Sequence, residues 1–358
     1  GVQTCALPIW TDPYDPAVYS KGAENLQRLI EDGVLMREEK PCYYIYRLRW
    51  EEHVQTGLVF GSSVAAYDIN RVRKHEFTRP VKEDDRVRQI TALNAQTGPV
   101  LLTYRADDAV KAIIDEAAAG APAYDLTADD GIGHTLWVLD DDAKIEQLNQ
   151  IFDATDALYI ADGHHRSASA SRVAKENSNE SAQYFLSVAF AHDEMKILDY
   201  NRVVRDLNGL SADELLANTA AAFDLEMSAE AVRPAKPTQF GMYVNGQWYR
   251  LDVHSERVPA DDPVASLDVS LLHSNLIEPL LGISDPRRDD RIDFVGGMRG
   301  LGELEKRVDS GEMEVAFSLY PTTMEALMDV ADANEVMPPK STWFEPKLAD
   351  GLVSHVLD

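Results

Sequence analysis

The chain has 358 residues, 45% hydrophobic and 27% charged, enough apolar material for two packed units but with no apolar run near the ~20 residues of a membrane span. Its 61 acidic and 34 basic residues leave a net charge of −27, which counts against broad contact with nucleic acid or anionic lipid, since both need basic surface. Two cysteines, Cys5 and Cys42, provide neither a disulfide framework nor a Cys-based zinc site, so a reducing, cytoplasmic setting is expected.

In chain order, residues 1–9 (GVQTCALPI) fit poorly with the rest of the chain. They resemble the translation of a sequencing-library adaptor and are set aside, with the expectation that the natural chain begins earlier and that Cys5 is foreign. Asp15 to Gly33 reads as an amphipathic helix, with Val18, Leu26, Leu29 and Ile30 at helical spacing. Pro41 to Trp50 and Thr56 to Ala66 are β-prone runs expected to lie side by side.

Arg71 to Arg86 then crowds basic residues into an acidic chain. Most charge runs are solvated faces, but this one is irregular rather than periodic. It is read as a binding loop in which Lys74, Arg79 and Arg86 attract phosphate and His75 and Glu76 can move protons. Val100 to Tyr104 is a strand, Val110 to Ala119 a helix, and Asp142 to Phe152 another helix. Between them His134 and Trp137 are expected to brace strands rather than to meet a ligand.

Residues 157–170 (ALYIADGHHRSASA) are the centre of the sequence. Leu158 to Ala161 is a short apolar strand, and Ser167 to Lys175 is helix-compatible. Asp162, Gly163, His164, His165 and Arg166 are packed into the turn between them. The first N–H groups of a helix lack intrahelical partners and carry partial positive charge. Gly163 allows close backbone approach, and Arg166 offers a planar fork to phosphate oxygens. The junction therefore suits a phosphate cradle, although the same residues would also serve as a plain helix cap.

Beyond it, Tyr184 to Phe190 and Lys196 to Tyr200 are expected to form a hairpin closed by Asn201 to Arg205. Ser211 to Phe223 is a helix with a capping box at Ser211 and Glu214. Asn245-Gly246 is the strongest hairpin signal in the chain. Asp268 to Leu280 is a helix, and Ile292 to Gly297 a strand meeting a glycine pair without nucleotide-motif spacing. Val315 to Leu319 and Thr322 to Ala331 are a strand and a helix. The tail from Met337 to Leu348 (MPPKSTWFEPKL) holds three prolines and is expected to be extended, with Lys340, Ser341, Thr342 and Lys347 as donors.

The segments D-G-H-H-R, K-H-E-x-T…K-E-x-D-R, R-I-D-F-V-G-G and M-P-P-K-S-T resemble a family known as domain of unknown function 1015. Its D-G-H-H-R turn is similar to turns of the ParB/sulfiredoxin superfamily, which includes free-serine kinases. The resemblance extends from about Asp12 to Asp358, with Asn201 departing from a His-Arg pair that leaves Arg202 in place. It implies an α+β fold: a mixed sheet with a ParB/sulfiredoxin-like core, plus a smaller α+β C-terminal unit. The expected organisation is 10–208 as the catalytic or nucleotide-binding unit, 209–260 as a small α+β insertion, and 261–358 as a C-terminal unit with an extended tail.

By the same resemblance, the expected activity is nucleotide-dependent phosphoryl transfer to a small hydroxyl amino acid such as free serine. The cofactors are ATP or ADP with Mg²⁺. Glu76, Asp162 and His164 would be catalytic, and Asp162 would also bind metal. Gly163, His165, Arg166, Lys74, His75, Arg79, Arg86, Arg202, Lys340, Ser341 and Thr342 would bind phosphate or nucleotide. The partners would be nucleotide and small substrate, with no nucleic acid and no membrane. Two other readings are a ParB-like nucleotide-binding regulator without kinase activity, and a metal hydrolase built on His164, His165, His75 and Asp162.

Overall fold

The computed structural model describes residues 12–358; the segment 1–9 and Cys5 lie outside the described residues. Two compact units emerge. The first comprises the chain up to Met195 together with Pro346–Asp358, and the second is Lys196–Glu345.

The first unit opens with helix α1 (Pro16–Glu31), capped by the Asp15 carboxylate, which accepts from Ala17 N–H at 2.8 Å. Strands β1 (Tyr43–Trp50) and β2 (His53–Ser63) are neighbours as expected and pair antiparallel, followed by the short helix α2 (Val64–Asp68). Next come β3 (Val72–Arg73), α3 (Pro80–Leu93), β4 (Ala95–Gln96), β5 (Val100–Tyr104) and α4 (Asp108–Ala118). The unit continues with β6 (Tyr124–Thr127), β7 (Gly133–Leu139), α5 (Asp142–Ala154), β8 (Leu158–Asp162), α6 (His164–Glu176) and β9 (Tyr184–Ala191). Eight of these strands make one mixed sheet in the order β3-β8-β5-β9-β2-β1-β7-β6. Its core gathers Ile45, Leu58, Leu102, Leu148, Ile160 and Phe185, all essentially buried. His134 and Trp137 brace strands as expected: Tyr46 Oη lies 2.6 Å from His134 Nδ1, and Trp137 Nε1 donates to Gly120 O.

The second unit holds β10 (Lys196–Leu198), β11 (Tyr200–Val204), α7 (Ala212–Thr219), β12 (Phe223–Ser228), β13 (Gln239–Val244) and β14 (Gln247–Val253). A single long helical stretch comes after them: α8 (Asp268–Leu272), a π-helical turn (His273–Ile277) and α9 (Glu278–Leu281). Then come β15 (Ile292–Gly296), α10 (Leu301–Asp309), β16 (Val315–Leu319), α11 (Met324–Asp332) and β17 (Trp343–Glu345). Six strands form an antiparallel sheet, β12-β14-β13-β16-β11-β15, and β10 pairs with β17. Strands from residues 209–260 and from 261–358 thus share one sheet. The capping box at Ser211 is present, and Asn245 and Gly246 take φ of 50° and 76° in the turn between β13 and β14.

The fold is α+β with a large mixed sheet, as the sequence implied. Three local expectations change. Tyr184–Ala191 and Lys196–Leu198 do not form a hairpin, because both edges of β9 are already taken by β2 and β5. The basic run is not all loop: Pro80 occupies the first turn of α3, where its missing N–H costs nothing, so Lys82 and Arg86 are helical. The tail is not one arm, since Trp343–Glu345 is a strand of the second unit whereas Pro346 onward belongs to the first. There the final strand, β18 (His355–Val356), pairs with β4.

Candidate functional site

The site is set by strand direction. β3 and β8 are parallel neighbours, with Val72 opposite Leu158 and Arg73 opposite Tyr159. Their carboxyl ends therefore reach the same edge of the sheet, where open α/β crevices form. The loop 74–79 leaves β3 there, and Gly163 and α6 leave β8 there. β5 runs antiparallel to β8, so the segment Gln96–Pro99 that enters it arrives at the same edge. The β4–β18 pair and a bond from Gly351 N to Thr97 O (2.7 Å) bring Lys347–Asp350 alongside.

At the head of α6, Gly163 has φ +101°, a conformation that L side chains rarely adopt. A Cβ there would stand 3.0 Å from Arg166 Nε and 3.3 Å from Val100 Cα. The glycine thus lets the Arg166 fork fold back over the turn. Arg166 Nη1 donates to Pro99 O at 2.6 Å, and the guanidinium lies 3.8 Å from Asp350 and 4.0 Å from Asp162. Among the described residues no side chain caps α6; Arg166 N–H donates to Gly163 O at 2.8 Å, which leaves the N–H groups of His164 and His165 for a ligand or water. The helix starts at His164, earlier than the sequence suggested, which turns both histidines and Arg166 into first-turn residues.

The two histidines bind the loop that precedes α3. His75 N–H points to His164 Nε2 at 3.4 Å, and Arg79 N–H donates to His165 Nε2 at 3.1 Å. Both Nε2 atoms act as acceptors, so in the neutral rings the proton sits on Nδ1. His164 Nδ1 lies 3.7 Å from Glu76 Oε2, and the His164 ring meets His75 edge-on at 4.5 Å. Burial lowers the pKa of all three rings. It takes His75 down to about 4 and His164 well below its ordinary value, with neighbouring His75, His165 and Lys74 adding to the latter. His75 Nδ1 is buried without a hydrogen-bond partner.

Together these elements enclose an open cavity of about 580 Å³. Arg79, Lys82, Arg86, Arg166 and Lys347 supply cations to its wall, and Glu76, Asp162 and Asp350 supply carboxylates. Lys347 Nζ is 3.4 Å from Asp162 Oδ2. Arg86 Nη1 donates to Gln89 at 2.5 Å, and Lys82 Nζ to Tyr14 Oη at 3.1 Å. Such a lining suits a polyanion with several phosphate oxygens. Among the described residues no cluster of three His, Cys, Asp or Glu could hold a metal, which leaves the metal-hydrolase reading without a ligand set.

Eight expected site residues thus meet in one wall: Glu76, Arg79, Arg86, Asp162, Gly163, His164, His165 and Arg166. Lys74 and His75 stand behind it. Lys74 Nζ donates to Tyr67 O at 3.1 Å and lies 3.9 Å from the centre of the Tyr67 ring, while His75 is 3% exposed. Arg202, Lys340, Ser341 and Thr342 belong to the second unit. There Arg202 donates to Lys340 O at 2.9 Å, Ser341 Oγ donates to Pro338 O, and Ser341 O accepts from Thr322 Oγ1. Lys82 was not among the expected site residues, although Pro80 and the four-residue spacing of Lys82 and Arg86 signal a helix face. It noted Lys347 only as a donor of the tail. Thr97, Gly98 and Asp350 carried no signal, because only strand pairing brings them in.

Comparison with known proteins adds a family and a set of loose structural likenesses. The model of a family described as "Protein of unknown function (DUF1015)" matches residues 5–270. No curated protein matches. Among solved structures, a free serine kinase variant in complex with AMP is 13% identical with a TM-score of 0.39, over 84% of this chain and 92% of that one. A conserved hypothetical protein from Pyrococcus furiosus is 14% identical with a TM-score of 0.37, over 84% and 94%. C-terminally truncated SbnI from Staphylococcus aureus is 12% identical with a TM-score of 0.43, over 82% and 85%.

Proposed function

For a chain that belongs to the DUF1015 family of proteins of unknown function, we propose nucleotide-dependent phosphoryl transfer to a small hydroxyl amino acid such as free serine. The observation that carries this reading is the convergence of five cationic side chains, an uncapped helix N-terminus and the Glu76 carboxylate on one cavity. Phosphoryl transfer asks for little beyond positioning, charge neutralisation and a group to orient the hydroxyl.

In this reading ATP or ADP places its phosphates at Gly163 and the first turn of α6. Arg166 neutralises charge beside that turn, while Arg79, Lys82, Arg86 and Lys347 hold the remaining oxygens. Glu76, whose side chain is 57% exposed, accepts the proton of the substrate hydroxyl. His164 is a positioning residue that turns Nδ1–H towards Glu76, and His165 fixes the main chain of Arg79. Asp162 stands with Lys347 and Arg166 rather than with other carboxylates. Among the described residues Asp162 has no cluster of further His, Cys, Asp or Glu ligands around it, and no step is assigned to Mg²⁺.

The test is incubation of the full chain with ATP or ADP, Mg²⁺ and a panel of hydroxyl amino acids, with phosphoserine followed by mass spectrometry. Phosphoserine should appear with at least one donor, and Glu76→Gln should lower kcat by about 10² or more, since general-base catalysis contributes on that scale, with nucleotide affinity unchanged. Tight nucleotide binding without product from any donor would replace this reading with that of a nucleotide-binding regulator.

A further inference from the structure

A second cavity, of about 370 Å³, lies wholly within the Lys196–Glu345 unit and has no part in the chemistry above. Its wall is mainly apolar, with Val269, Ile277, Phe294 and Pro338, and its charged or titratable members are Arg202, Arg257, His273, Asp285 and Arg287. Arg202 is the unusual member. It is 4% exposed, yet its guanidinium donates only to main-chain carbonyls, those of Tyr200 and Lys340, and lies 5.4 Å from the Phe294 ring centre.

Two carbonyls use only part of the Arg donor fork. Among the described residues no carboxylate forms an ion pair with Arg202, and burial lowers its pKa to about 10. A buried cation without a counter-charge is unfavourable unless something completes it. Nearby, His273 Nδ1 is buried without a hydrogen-bond partner. His273 also opens the π-helical turn His273–Ile277, a distortion of the α-ladder that recurs at functional sites. Asp285, the carboxylate in this wall, is already held by Arg287, whose Nε lies 2.9 Å from Oδ1, so it does not supply the missing pairing.

We propose that this cavity is a ligand site for a small monocarboxylate with an apolar body. The carboxylate pairs with Arg202, with Arg257 at the exposed mouth, and the body packs on Phe294, Ile277 and Pro338. His273 Nδ1 contributes a polar contact at one side. A bidentate guanidinium–carboxylate contact supplies orientation, and the apolar wall supplies affinity.

Phenylacetate, hexanoate and the neutral isostere phenylacetamide, titrated calorimetrically into the full chain, test this. Phenylacetate or hexanoate should bind, the amide about tenfold or more weaker, and Arg202→Met should weaken the carboxylate by about tenfold or more. Ser274→Trp, at an exposed position of the same wall, should block binding without lowering Tm. That variant decides the matter if Arg202→Met fails to fold. Saturating ATP should leave the carboxylate isotherm unchanged. Absence of binding by both carboxylates, equal binding of the amide, or loss of binding in Arg166→Ala in place of Ser274→Trp would overturn the proposal.

Discussion

The two units bury ionisable groups of opposite character. In the first, His75 and His164 are packed into the wall behind a cation-lined cavity and are held neutral by burial. In the second, burial raises Asp268 to about 7, with Oδ2 left without a partner while Oδ1 accepts from Thr238 N–H at 2.8 Å. The cation-lined cavity of the first unit is open and keeps its cations near water. The apolar cavity instead buries the Arg202 guanidinium without an ion pair to any described carboxylate, so a single carboxylate would be felt strongly there. Similar polar residues therefore work as a diffuse field in one place and as a point contact in the other.

Four measurements would break or sharpen this contrast. The largest effect is expected at Arg166. Replacing it with Ala should lower kcat/KM for phosphoserine formation by about 10² or more through lost charge stabilisation; unchanged turnover would remove the cradle from the mechanism. Next is acid stability. As pH falls from 6.5 towards 4, the unfolded chain takes up a proton at His75 that the folded chain refuses. Stability should then fall by roughly 3 kcal/mol from this group, and it is fully retained above the unfolded pKa. Urea midpoints across that window should show the slope, and His75→Gln should flatten it.

The next effect, comparable in size to that of His75, has the opposite sign in pH. Asp268 has a raised folded pKa, so the folded chain holds a proton that the unfolded one releases as pH rises from 3.8 to about 7. Stability should decline across that window, and Asp268→Asn, which keeps the acceptor for Thr238 N–H, should remove the decline. If both variants changed the pH profile in the same direction, the contrast between the units would be wrong. Gly163→Ala should give the smallest of the four effects. The left-handed backbone and the approach of Val100 and Arg166 predict a loss of about 1–3 kcal/mol, read as a lower Tm, with weaker nucleotide binding as Arg166 is pushed aside.

What the sequence made legible was local. The Asn245-Gly246 turn, the Ser211 capping box and the strand–glycine–helix of 158–176 depend on neighbouring residues and on backbone conformations that few residue types accept. That Asp162 to Arg166 and the basic run line one cavity follows from the contiguity of the first and from the position of the second after the strand that pairs beside them. What could not be read was set by pairing across long separations. Nothing in Tyr184–Ala191 says that its partners are β2 and β5 rather than the next strand along. Nothing in the proline-rich tail says that the chain changes unit between Glu345 and Pro346, which separates Lys340 from Lys347. Arg202 was named through the family segment, but that no described carboxylate pairs with it depends on what the fold packs around it.

The pairing of Lys196 with Glu345 has a practical corollary. These are the first and last residues of an inserted segment, and antiparallel partners stand about 5 Å apart at Cα. Met195 and Pro346 are therefore joined to two neighbouring points, and a bridge of a few glycines should suffice to splice them. The segment between can be treated as a cassette: removable, replaceable, or grafted by the same two-strand stem into another host.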